Sequence, residues 1–97
     1  MSQPTPQFNA EIHAPMRLRI CGALSEVSSV EFATLREHLN VADSVLSKHL
    51  ARLSDAGYVN MRKLSTEGHL RTRVSLTRQG RRAFDAHVAA LRQIAGL

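Results

Sequence analysis

The sequence predicts an α+β fold, mainly helical, in which a helix-turn-helix carries a β-hairpin at its flank. Three observations predict it. Leu46, Leu50 and Leu53 recur at i, i+4 and i+7, a single apolar stripe on a helix that Gly57 closes. A shorter apolar-periodic segment, Phe32 to Leu39, precedes it across only a few residues. After it, Leu70 to Leu76 alternates strictly, with Leu70, Thr72, Val74 and Leu76 on one face and Arg71, Arg73 and Ser75 on the other.

A chain of 97 residues fits one domain, and its 43% hydrophobic content suits a small core. With three Phe, one Tyr and no Trp, that core must be mostly aliphatic. No apolar run approaches the roughly 18 residues of a membrane span. Met1 to Asn9 lacks the basic and apolar regions of a secretory signal. The single cysteine, Cys21, excludes an internal disulfide framework. These features place the chain in the cytoplasm, with the nucleoid as its expected station.

Residues 1–9, polar and holding two prolines, read as a flexible arm, and residues 10–97 as the domain. A first helix is expected from about Ala10 to Ser25, with Ile12, Met16, Ile20, Ala23 and Leu24 at helical spacing. Pro15 sits in its first turn or marks a break. Cys21 within it is expected to be a small buried hydrophobe. Ser28 to Phe32 reads as a loop leading into a very short extended segment. Ala33 to Leu39 forms the second helix, with Asn40 as its C-cap. The next helix spans about residues 43–56. Asp43 is expected to cap it.

Tyr58 to Leu64 reads as a strand, Ser65 to His69 as a five-residue turn, and Leu70 to Leu76 as the returning strand, an antiparallel hairpin expected to lay its Leu70, Thr72, Val74 and Leu76 face on the core and its cationic face outward. Directly after a helix-turn-helix such a hairpin is a wing, so the fold is a winged helix-turn-helix: helix, short strand, helix, helix, strand, strand, helix. Thr77 caps the last helix, Arg78 to about Ala95. Its apolar side, with Phe84, His87, Val88, Leu91 and Ile94, is wider than one small domain needs. Together with Ile12 and Met16 it is expected to pair two copies of the chain.

Charge points to the partner. Residues 41–82 hold nine Lys/Arg against three Asp/Glu, whereas residues 1–40 hold three against four. A concentrated basic face suits a polyanion. An α-helix fits the major groove of double-stranded DNA, and its N-terminal half reaches base edges. Here that half offers Ser44, Val45, Ser47 and Lys48. Arg52 is placed to meet phosphate, and Arg62, Lys63, Arg71 and Arg73 on the wing to meet backbone or minor groove.

Other chemistry finds less footing. His13, His38, His49, His69 and His87 are scattered, and no two make a pair with metal-ligand spacing. His49 is expected to hydrogen-bond at the helix-to-core boundary. No nucleophile-and-base constellation, paired carboxylates or phosphate-binding glycine loop is present, so no catalytic residue, metal or cofactor is assigned. Two alternatives stand beside DNA binding: a winged helix that docks another protein, and a metal- or redox-responsive sensor using Cys21 and histidines.

Three stretches together resemble the winged-helix transcription regulators of the ArsR/MarR-like group, in particular its small stand-alone members. Leu46-Ser47-Lys48-His49-Leu50, Leu53 and Ala56-Gly57-Tyr58-Val59 resemble their recognition helix and following strand. His13-Ala14-Pro15-Met16-Arg17-Leu18-Arg19-Ile20 looks like their first-helix signature. Arg71-Thr72, Val74, Leu76-Thr77 and Gly80-Arg81 look like their junction from wing to last helix. The resemblance covers residues 12–92. It implies a homodimer paired through its first and last helices that represses or otherwise regulates transcription. It also implies base-edge roles for Ser44, Val45, Ser47 and Lys48 and wing contacts for Arg71 and Arg73. The metal-sensing members use paired cysteines, which this chain lacks, and larger members build a ligand pocket from additional helices.

Overall fold

The computed structural model describes residues 3–97; Met1 and Ser2 of the expected arm lie outside it. The arm ends earlier than residue 9. Gln7 donates its backbone N–H to the Ala86 carbonyl at 3.0 Å, and the Asn9 side chain accepts from the N–H of Ile12. Asn9 is thus the N-cap of a four-residue helix, α1 (Ala10–His13).

The single first helix expected is two. Ala14 is extended (φ −53°, ψ 131°), as the residue before a proline prefers, and Pro15 then opens α2 (Pro15–Ser25), where its missing N–H leaves no bond unmade. A two-residue strand β1 (Val30–Glu31) leads into α3 (Phe32–Leu39). Asn40 ends α3 in the left-handed conformation (φ 55°), a role its short side chain tolerates. Three residues later α4 begins (Asp43–Asp55).

At the far end of α4, Gly57 takes φ 83° and two bonds close the helix. Its N–H reaches the Ser54 carbonyl and that of Tyr58 reaches Leu53, each at 2.9 Å. The chain then enters β2 (Val59–Thr66) and returns as β3 (His69–Leu76) before α5 (Arg78–Ala95). The sheet is antiparallel in the order β1-β3-β2.

The hairpin turn is two residues, not five. Glu67 (φ 51°) and Gly68 (φ 79°) both take left-handed backbone, the geometry whose twist matches that of the strands. The strands therefore pair as far as Thr66 opposite His69.

Ile12, Ile20 and Leu24 meet Leu35 and Leu39, the leucines of α4, and Val59 and Val74 in one aliphatic core. The expectation that all of Leu70, Thr72, Val74 and Leu76 face that core fails at one end. The outer half of the hairpin projects past it, so Leu70, on the correct face by register, is 68% exposed. Among the described residues no helix is long and apolar enough to cross a membrane.

Candidate nucleic-acid interface

The site starts from three leucines. Leu46, Leu50 and Leu53 are fully buried, fixing the rotation of α4 about its axis. That rotation exposes Ser44, Val45, Ser47, Lys48 and Arg52. Ala51 is exposed beside them, one turn on from Ser47 and Lys48, and offers no bulk to hold another surface away. Residues 44–48 thus present two hydroxyls, a cation and a branched apolar group on an outward face. Sequence reasoning missed Ala51, although its helical spacing from Ser44 and Lys48 is legible.

Asp43 does not cap α4. The N-cap position falls to Ala42, which has no side-chain acceptor, and Asp43 pairs instead with Arg36 of α3 (Nε to Oδ1, 2.8 Å). The pair ties the two helices across their short turn and leaves a carboxylate beside the serines. Both groups are partly or largely exposed, so the bond is worth at most about 1 kcal/mol and serves geometry more than stability.

The base of α4 is braced from below. Arg17, buried on α2, donates Nε to the Glu11 carbonyl and lies 3.3 Å (Nη1) from His49 Nδ1. Burial, then the adjacent Arg17, holds His49 below its ordinary pKa, so it is the neutral ring that faces the guanidinium. His49 therefore does sit at the helix-to-core boundary. Arg52 donates Nε to Glu11 Oε1 at 2.7 Å, and that bond lowers the pKa of the Glu11 carboxyl. Arg52 was expected to be free for phosphate; here a carboxylate occupies it.

The wing cations divide in the same way. By register Arg62 lies directly opposite Arg73, with Leu64 opposite Arg71, on one face of the hairpin; Lys63 faces the other way, opposite Thr72. Two arginines opposed across strands repel. Glu31 of β1 relieves this: Arg71 Nη1 lies 2.9 Å from its Oε2 and Arg73 Nη1 lies 4.0 Å from its Oε1. Arg73 also donates to the hydroxyl and carbonyl oxygens of Ser29. Arg62 and Lys63 are exposed and make no ion pair among the described residues. The carboxylates Glu11 and Glu31 reach arginines on elements about 40 residues away, and Asp43 reaches across the turn between two helices, where no single helical period applies; single-sequence reasoning had no signal for them.

The residues assigned to pairing also separate. Ile12 is fully buried in the chain's own core, because the break at Ala14 turns α1 inward; it offers no surface to a second copy. Met16 and Phe84 are partly buried and packed against that same core. Val88 and Leu91 remain half-buried and Ile94 is 73% exposed. The apolar surface left open on α5 is thus its C-terminal half. Cys21 is fully buried and burial pushes its thiol pKa up to about 11, the behaviour of an inert core residue. Among the described residues no group of three or more His, Cys, Asp or Glu is placed to hold a metal ion.

Comparison with known proteins fits this geometry. A family described as winged helix DNA-binding domain matches residues 16–95. An uncharacterized protein of Methanocaldococcus jannaschii is 32% identical over 79 residues, covering 81% of this chain and 86% of its own. A transcriptional regulator homologue from Pyrococcus horikoshii superposes with a TM-score of 0.85 at 22% identity, over 89% of this chain and 85% of that one. Lactococcus lactis ZitR, solved in complex with DNA, superposes with a TM-score of 0.65 at 13% identity, over 99% of this chain and 65% of its own. At these identities the two structures share the fold with this chain.

Proposed function

The chain belongs to the winged helix DNA-binding domain family, and on that premise we propose that it is a sequence-specific transcription regulator that binds double-stranded DNA as a homodimer, acting as a repressor by occupying its site. The observation that carries the reading is the outward face of α4. Ser44, Val45, Ser47 and Lys48 are all exposed on a helix whose opposite side is fixed by buried leucines. In the major groove the serines donate to or accept from base edges, Lys48 reaches guanine acceptors or phosphate, and Val45 packs on a thymine methyl.

The supporting contacts are positional. Arg62 and Lys63 are open to phosphate, while Arg52, Arg71 and Arg73 exchange a carboxylate for phosphate on binding. Such contacts set affinity and register rather than sequence. The exposed apolar C-terminal half of α5, with Val88, Leu91 and Ile94, joins two copies. A two-fold arrangement sets the α4 helices about 34 Å apart and calls for a near-palindromic site.

Selection from random duplex DNA with the purified chain tests this. The expected product is an inverted repeat with half-sites one helical turn apart, bound with an affinity that falls steeply with salt. Recovery of no common sequence would refute sequence-specific recognition.

A further inference from the structure

His87 is completely buried on α5, and both its ring nitrogens are engaged. Nδ1 accepts from the backbone N–H of Asn9 at 2.9 Å, and Nε2 lies 3.2 Å from Nδ1 of His13. A backbone N–H only donates, so Nδ1 of His87 must be bare. His87 therefore carries its proton on Nε2 and donates it to Nδ1 of His13, which must be bare as well. One directional chain, Asn9 to His87 to His13, fixes both imidazoles in the neutral state. Phe8 packs against the pair, its ring centroid 4.7 Å from that of His13 and 4.9 Å from that of His87.

The same residues dock the N-terminal segment. Gln7 bonds the Ala86 carbonyl, and the Asn9 amide spans from the Ile12 N–H to the Tyr58 hydroxyl, 2.9 Å from Nδ2. A proton on either bare nitrogen turns an acceptor into a second donor facing a donor. Among the described residues no carboxylate is paired with either ring. Residues 3–9 hold no ionisable side chain. On α1 the Glu11 carboxylate is spent on Arg52, and α2 presents the cation of Arg17. On α4, His49 faces Arg17, and the start of β2 contributes only the Tyr58 hydroxyl, reached through Asn9. On α5, Arg82 and Asp85 are exposed and line the cleft beside Gln7, Asn9 and Tyr58, one cation and one carboxylate, and neither is paired with a histidine ring. Burial, and next the neighbouring His13, holds the pKa of His87 below its ordinary value.

We propose that the His13–His87 pair is a proton-operated latch for the N-terminal segment: neutral rings dock residues 7–9 against α1 and α5, and protonation releases them. The sign follows from the ring chemistry. A group whose pKa is lower docked than undocked contributes its full docking free energy above about pH 6.5 and loses it as the pH falls below that value. Asn9 caps α1, and α1 carries the Glu11 that holds Arg52, so release also loosens the brace beneath α4. That last consequence rests on the DNA-binding reading; the latch does not.

The experiment is NMR on the isotopically labelled full-length chain from pH 8 to pH 5, without DNA, so its outcome is independent of whether α4 reads bases. At pH 8 His87 is expected as the Nε2–H tautomer. Below pH 6.5 the protection factors of the Gln7 and Asn9 amides are expected to fall tenfold or more as the His87 ring takes up its proton, while the Leu50 amide in α4 keeps its protection. Gln7 and Asn9 amides that stay protected down to pH 5 would overturn the latch. So would a loss of protection that occurs only together with Leu50.

Discussion

Gly80 lies so close to Tyr58 that a Cβ added to it would stand 2.0 Å from the Tyr58 carbonyl oxygen. That oxygen already accepts the Thr77 N–H at 3.0 Å, and Thr77 Oγ1 donates to the Gly57 carbonyl at 2.7 Å while accepting from the Gly80 N–H. The first turn of α5 is therefore seated on the two residues that end α4. The close approach fixes the angle between the helix proposed for the groove and the helix proposed for pairing.

Gly80→Ala must push backbone apart, because neither neighbour is a flexible side-chain end. It is expected to cost about 1–3 kcal/mol or more. Urea unfolding reads this as a lower midpoint with an unchanged m-value. An unchanged midpoint would mean that α5 does not seat on Tyr58.

Asn9→Ala removes the cap of α1 and the link to the Tyr58 hydroxyl together. A lost N-cap costs about 0.5–2 kcal/mol. Thermal unfolding is expected to show a drop in Tm, and no change would return residues 7–9 to the status of a free arm.

Glu11→Gln releases Arg52 from its carboxylate. If Arg52 exchanges that carboxylate for phosphate on binding, the variant has no ion pair to break and is expected to bind DNA more tightly, with the same number of phosphates contacted. Binding with unchanged affinity would show that Arg52 only braces α1 against α4.

Cys21, with its thiol pushed up to about 11 and its side chain buried, is expected to react with a thiol reagent at pH 8 only when urea is present. Rapid labelling of the native chain would reopen a redox role.

The three leucines of α4, Gly57, Asn40 and the strand alternation were legible because each is a local signal: a helical period, a left-handed residue, a period of two. Boundaries failed where local signals tied. Glu67 is not a residue that advertises a positive φ, so the two-residue turn was hidden within a polar run, and Pro15 left helix start and helix break equally open. Leu70 failed for a different reason: alternation says which face a side chain takes, not how far the core extends beneath it. The carboxylates on Arg52 and Arg71, and the His13–His87 pair, join positions 40 to 74 residues apart, beyond any periodicity, and the Arg36–Asp43 pair crosses a turn that interrupts the helical one.

On the proposed reading, the outward face of α4 reads base edges. The most direct test is the double substitution Ser47→Ala with Lys48→Ala, both at exposed positions where the fold is indifferent to truncation. Binding is measured against the selected site and a scrambled duplex at one salt concentration. Each good base contact is worth about 1–3 kcal/mol of discrimination, so the preference for the selected site is expected to fall by about tenfold or more. A variant that keeps the full preference for the selected site would show that this face of α4 does not read bases.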